Sequence, residues 1–177
     1  MSLEVSALRA LAHPVRLQIL SLLTGSTLSA TEVADELGIT QANASYHLRA
    51  LASAGYVVVD SKERIRGGVA KRYRHPWDAE VPKRPSHDED YLLFVQAMAS
   101  ELVRRAAYRD PEIEHRSNTD AELWVEPDVW AEVVDHVERA SALLHGSALP
   151  PRTDGAVHVN MSASLFAMRE RRAGDRR

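Results

Sequence analysis

The sequence predicts an α+β fold, with short helices and a β-hairpin first, then a long helix and a small strand–helix–strand extension. Three observations predict it. Four helix signals, the last three closed by glycine, crowd the first 55 residues. The β-branched run Tyr56-Val-Val-Val59 and the run Val69-Ala-Lys-Arg-Tyr-Arg74 flank Gly67-Gly68, the pattern of a hairpin with a cationic tip. Past the proline-bearing stretch 76–87 the helical period returns, and two apolar segments bracket a final helix. These breaks divide the chain into residues 1–78, residues 86–165 and an Arg-rich tail, 166–177, read as disordered.

The elements follow in order. Val5, Leu8 and Leu11 lie on one face of a short first helix, which His13-Pro14 interrupts. Proline suits the first position of a helix, so a second one starts at Pro14. It carries Val15, Ile19, Leu20, Leu22 and Leu23 inward and ends at Gly25. Ser29-Ala-Thr-Glu32 has the form of a capping box and opens a third helix with Val33, Ala34 and Leu37 inward. Gly38-Ile39-Thr40 makes a three-residue turn, and Thr40 caps a fourth helix that Gly55 closes. Ser86-His-Asp-Glu89 is a second capping box, opening a helix of about 20 residues. Strands near 122–126 and 156–162 then flank a helix from Pro127 to about His145. Its face of Trp130, Val133, Val134, Val137 and Leu144 is expected to pack on them.

Composition narrows the function. The chain has 177 residues and no cysteine, which excludes disulfides and thiolate metal ligands. Neither a signal peptide nor a membrane-length apolar run is visible, so a cytoplasmic protein with no membrane partner is expected. The net charge of −3 is unevenly spread. Residues 1–77 hold nine Lys and Arg against six Asp and Glu, and residues 78–177 hold thirteen against nineteen. Only the basic first half is suited to a polyanion.

The fourth helix sharpens that reading. On a helical wheel Ala44, Leu48 and Leu51 face the core, whereas Ala42, Tyr46, Arg49 and Ser53 face away, flanked by Gln41 and Ser45. Small residues let a backbone approach a major groove. Gln41 can pair bidentately with adenine, and Arg49 with guanine or phosphate. Asn43 lies beside this stripe, and His47 nearer the core is read as structural. Lys62, Arg64, Arg66, Lys71 and Arg72 of the hairpin complete the candidate surface, supplying affinity rather than sequence information. An amphipathic surface helix and a charge-protected edge hairpin are the plain readings of the two pieces taken singly. Their succession, behind a capped helix and a glycine turn, favours a double-stranded DNA partner.

As a set, ALAHPVRLQILSLL, SATEVADELGITQANASYHLRALASAGYVVV and the basic hairpin resemble the ArsR-type winged helix-turn-helix regulators over about residues 5–75. The resemblance implies a homodimer on a palindromic operator, usually repressing. It implies a recognition helix at 40–53, a wing near 60–72 and DNA contacts at Gln41, Ser45 and Tyr46. The chain departs from that pattern in lacking the metal-sensing cysteines and in extending about 90 residues further, so metal sensing is not carried over.

In the second half, Tyr91, Val95, Met98 and Leu102 form a stripe read as the dimerisation face. Trp124 and Trp130 are either core or the wall of a pocket for a small-molecule effector. Asp128, Glu132 and His136 recur at helical spacing, with a solvated acidic face favoured over a metal site. No metal, cofactor or catalytic residue is expected, for the sequence has no phosphate-cradling glycine loop and no nucleophile elbow. The function expected is that of a DNA-binding transcriptional regulator. The alternative is a winged-helix interaction module that does not read DNA, and the basic hairpin and Arg49 argue against it.

Overall fold

The computed structural model describes residues 7–65, 68–79, 88–114 and 116–169. Helices α1 (Ala7–Leu11), α2 (Pro14–Thr24), α3 (Ala30–Leu37) and α4 (Gln41–Ala54) precede a hairpin of β2 (Val58–Ile65) and β3 (Gly68–Arg74). Two further helices follow, α5 (Asp88–Ala106) and α6 (Pro127–Gly146). A two-residue strand, β1 (Leu28–Ser29), completes an antiparallel sheet of order β1-β3-β2. The sequence reading contains no β1. Ser29 holds two places at once, pairing with Arg72 across the sheet and capping α3.

The caps explain the helix boundaries. Ser29 Oγ accepts from the Glu32 amide, and Glu32 in return accepts from the Ser29 amide at 2.7 Å, so the capping box is complete. Gly38 ends α3 with φ 63°, a left-handed geometry that a side chain would resist. Thr40 then accepts from the Asn43 amide and starts α4. At the head of α2, His13 Nδ1 accepts from the Val15 amide.

The core of the first domain joins Ile19 and Leu23 of α2, Val33 of α3, and Ala44, Leu48 and Leu51 of α4 to Val57 and Tyr73. His47 is buried with them, as the sequence reading has it. The His13 ring lies 4.5 Å away, and Arg16 Nε donates to His47 Nδ1. Burial first, then the neighbouring His13 and Arg16, push the His47 pKa down to about 4. His47 is therefore a neutral packing group at ordinary pH.

Helix α5 lies on α1 and α2 through Asp90, Ala97 and Glu101, all buried. The expected dimer stripe of Tyr91, Val95, Met98 and Leu102 is turned aside from that contact. Leu102 stays 46% exposed, and Tyr91 meets Phe166 and Ser164.

The extension differs from expectation. Residues 116–126 and 156–169 form no strand, and α6 has no buried residue. The small sheet expected under the α6 face is absent because alternation supplies a face but not a ladder partner, and neither segment has one in the single chain. Trp124 is 86% exposed. Helix α6 touches the first domain near its C-terminal end, where Trp77 meets the His145 ring and closely approaches Gly146. The capping box expected at Ser86, and the tail beyond Arg169, fall outside the described residues. No described helix is long and apolar enough to cross a membrane.

Candidate nucleic-acid interface

The turn Gly38-Ile39-Thr40 sets α4 against α3, and Ile39 packs on the core while the Thr40 cap fixes where α4 begins. The face of α4 opposite Ala44, Leu48 and Leu51 is thereby turned outward. Gln41, Ala42, Asn43 and Arg49 are exposed, Tyr46 is 56% exposed and Ser45 is half-buried. Arg49 folds along the helix, its Nε donating to the Ser45 carbonyl. Tyr46 rests edge-on against His47, at 5.2 Å between ring centroids. An outward-facing aromatic is thus seated on a buried ring, which limits its freedom before any contact is made.

The hairpin sorts its charges by pleat. Successive side chains alternate between faces, and register pairs Lys62 with Lys71, Arg64 with Val69, Ser61 with Arg72 and Glu63 with Ala70. Lys62, Arg64 and Lys71 consequently share one face, and none has an ion-pair partner among the described residues. Two lysines directly opposite one another repel, a cost that an anion lying across them removes. Arg66 falls outside the described residues.

Arg72 departs from the reading that placed it on the DNA surface. It lies on the other pleat, where its guanidinium donates to the Thr27 carbonyl at 2.6 Å and to Glu32 Oε1 at 3.2 Å. Glu32 is the same residue that closes the α3 capping box. Its carboxyl is held below the usual range, first by the Ser29 amide and, against the cost of burial, by the Ser29 hydroxyl and Arg72. Arg72 braces the wing against the start of α3. The sequence does carry the signal, since Lys71 and Arg72 are adjacent in a strand and must point to opposite sides. The partner, 40 positions away, is not visible in it. Arg74 is likewise paired, with Asp60 at 3.1 Å.

Among the described residues no three His, Asp or Glu side chains converge, and His136 Nδ1 lies 2.7 Å from the Glu132 carbonyl of its own helix. Trp124 is exposed and Trp130 half-buried. A cleft of about 680 Å³ lies elsewhere, between the end of α2, the exit of β3 and the segment after α6, lined by Leu23, Thr24, Arg74, His75, Trp77 and Pro150.

Residues 11–60 match the family model of a helix-turn-helix domain. No curated protein matches the chain. Among solved structures, a possible transcriptional regulatory protein (fragment 1–100) from Mycobacterium bovis is 29% identical, over 57% of this chain and 86% of that one. Its TM-score of 0.32 lends no weight to any further comparison. The family match ends before the hairpin is complete, and the structure supplies the remainder of the wing. The chain carries a helix-turn-helix domain with a three-stranded antiparallel wing, the kind of module that lays its second helix in a DNA major groove.

Proposed function

We propose that this chain is a sequence-specific, ArsR-type transcriptional regulator without enzymatic activity. In this reading it binds a palindromic operator as a homodimer and represses transcription in the cytoplasm. One observation carries the reading. A single helix-turn-helix domain presents Gln41, Ala42 and Tyr46 on the open first turns of α4, together with an unpaired row of Lys62, Arg64 and Lys71 on its wing. The first turns of the second helix are where this module reads bases, and a cationic wing follows phosphates. A two-fold pair supplies two such helices about 34 Å apart, one turn of duplex.

Enrichment of bound duplexes from a random library tests the reading, with a palindromic consensus as the expected outcome. On the enriched site Gln41→Ala and Tyr46→Ala should each cost about 1–3 kcal/mol, with little change on unrelated duplexes. Equal discrimination by wild type and both variants would place the reading surface elsewhere.

The reading includes a small organic effector, and its place moves from Trp124 and Trp130 to the cleft at Trp77. That cleft has an aromatic wall, with Arg74 and His75 to orient a polar group. It borders both β3 and the segment after α6, so an occupant there bears on the base of the wing. A metabolite panel scored by release of the enriched duplex checks this. Release by an organic compound should vanish in Trp77→Ala, and release unaffected by that change would refute the placement.

A further inference from the structure

The single chain exposes 14061 Å² of surface. A compact monomer of its 19.7 kDa exposes about 8,600 Å². Granting the residues outside the described segments the full surface of an unfolded chain, about 4,000 Å², still leaves an excess of about 1,500 Å². Covered on both members of a pair, that area falls within the roughly 2,000–5,000 Å² of permanent homodimer interfaces.

The excess has an address. Leu123, Trp124 and Val125 before α6 are exposed, as are Val157, Val159 and Met161 after it. In the second segment Asn160 Oδ1 accepts from Arg105 on α5 at 3.1 Å. The segment is thereby anchored on the chain's own α5, while Val157, Val159 and Met161 stay exposed. No backbone hydrogen bond from 121–125 or 157–162 reaches another described segment. Both segments carry exposed apolar side chains and belong to no ladder, and between them stands a helix with no fully buried residue.

We infer that this region is a strand-exchange dimer surface, with a second copy of this chain as its occupant. Residues 121–126 of each copy pair with residues 156–162 of the other, the two-fold axis making the pairing twice, and α6 covers the resulting sheet. Each open edge gains a ladder and each apolar face a cover. The inference rests on the homodimer reading above and moves its main contact from the α5 stripe to the extension.

Sedimentation of the full chain from nanomolar to tens of micromolar concentration tests it, with hydrogen exchange at both ends of the range. The wild type should be a dimer at the upper end, with amides in 122–126 and 157–161 protected there and unprotected on dilution. Trp124→Asp and Val159→Asp should each weaken the dimer about a hundredfold, since a carboxylate is then held in an apolar contact. Both sites are exposed in the single chain, so the circular dichroism of the monomer should not change. A dimer that tolerates both changes but yields to Leu102→Glu would overturn this inference and leave the homodimer reading standing. A monomer at every concentration would overturn both. Protection that persists on dilution would mean that the strands pair within one chain, and would also overturn it.

Discussion

Alanine at Lys62, Arg64 and Lys71 together is expected to lower affinity for any duplex about a hundredfold at physiological salt. Each cation that neutralises a phosphate releases condensed counterions and contributes about 0.9 to the slope of log affinity on log salt. At about 0.15 M salt one such contact is worth roughly fivefold, and three multiply to about two orders of magnitude. The triple variant should therefore lose a slope of about 2.7 and converge with wild type near 1 M salt. Binding isotherms at four or five salt concentrations on specific and unrelated duplexes measure both quantities. The loss should be alike on the two, because phosphates are the same in every sequence. Arg72→Ala is the contrasting variant. Its guanidinium serves Glu32 and Thr27, so it should lower the melting temperature and leave the salt slope within error of wild type. A slope lost on Arg72→Ala and kept in the triple variant would reverse the assignment of the two hairpin faces.

Glu101→Ala is expected to destabilise the protein by about 3 kcal/mol and lower its melting temperature by about 6–12 °C. The carboxylate is 2% exposed and gathers three partners. Gln18 of α2 donates to it at 2.6 Å, Arg104 donates at 2.9 and 3.0 Å, and Arg105 lies at 3.4 Å. Deleting it leaves a hole between α5 and α2 and strips the Gln18 amide of its acceptor. The pH dependence follows from its ionisation. Burial raises the Glu101 pKa, but the hydrogen bonds from Arg104 and Gln18 and the two arginine charges outweigh burial and hold it below the ordinary 4.5. A carboxyl with a lowered folded-state pKa stabilises above the unfolded value and ceases to do so as pH falls through the folded one. The stability gap between wild type and Glu101→Gln should thus be full at neutral pH and close as pH drops below 4.5. Thermal melts at pH 7, 5 and 3.5 would measure it, and a gap independent of pH would contradict the ionised assignment.

The first domain was legible because its signals are local. Ser29, Glu32, Gly38, Thr40 and Gly55 each act within a few residues of themselves, and the caps they predict are the caps observed. The inward face of α4 follows from the same short range, for Ala44, Leu48 and Leu51 recur at helical spacing and are fully buried. What failed to show was whatever depends on a distant partner. Arg72 reads as one more wing cation until Glu32 lies beside it. Asp90 and Glu101 are buried on α5 against Arg9 and Gln18, partners that nothing near them in the sequence announces. The apolar stripe of Tyr91, Val95, Met98 and Leu102, read as a dimerisation face, lies beside the face that α5 buries in the single chain. Alternation at 122–126 and 156–162 was real, yet a pleated face is only half of a strand. The other half is a ladder, which no single segment contains.

The clasp between the segment after α6 and the first domain bears on the order in which the molecule is made. Leu149 passes so close to the end of α2 that a β-carbon on Gly25 would meet its carbonyl oxygen, and Arg152 forks onto Glu36 of α3, 116 positions earlier. The core of the first domain draws only on residues 11–73. At about 5–20 residues per second a ribosome needs roughly 4–15 s to pass from the end of β3 to Arg152. Domains of this size and local topology close within milliseconds to seconds. The helix-turn-helix is complete while the clasp is still being synthesised, and the nascent chain carries a finished α4 before α6 exists. Registration of the extension on the first domain is the closing step of folding, guided onto a surface that is already there.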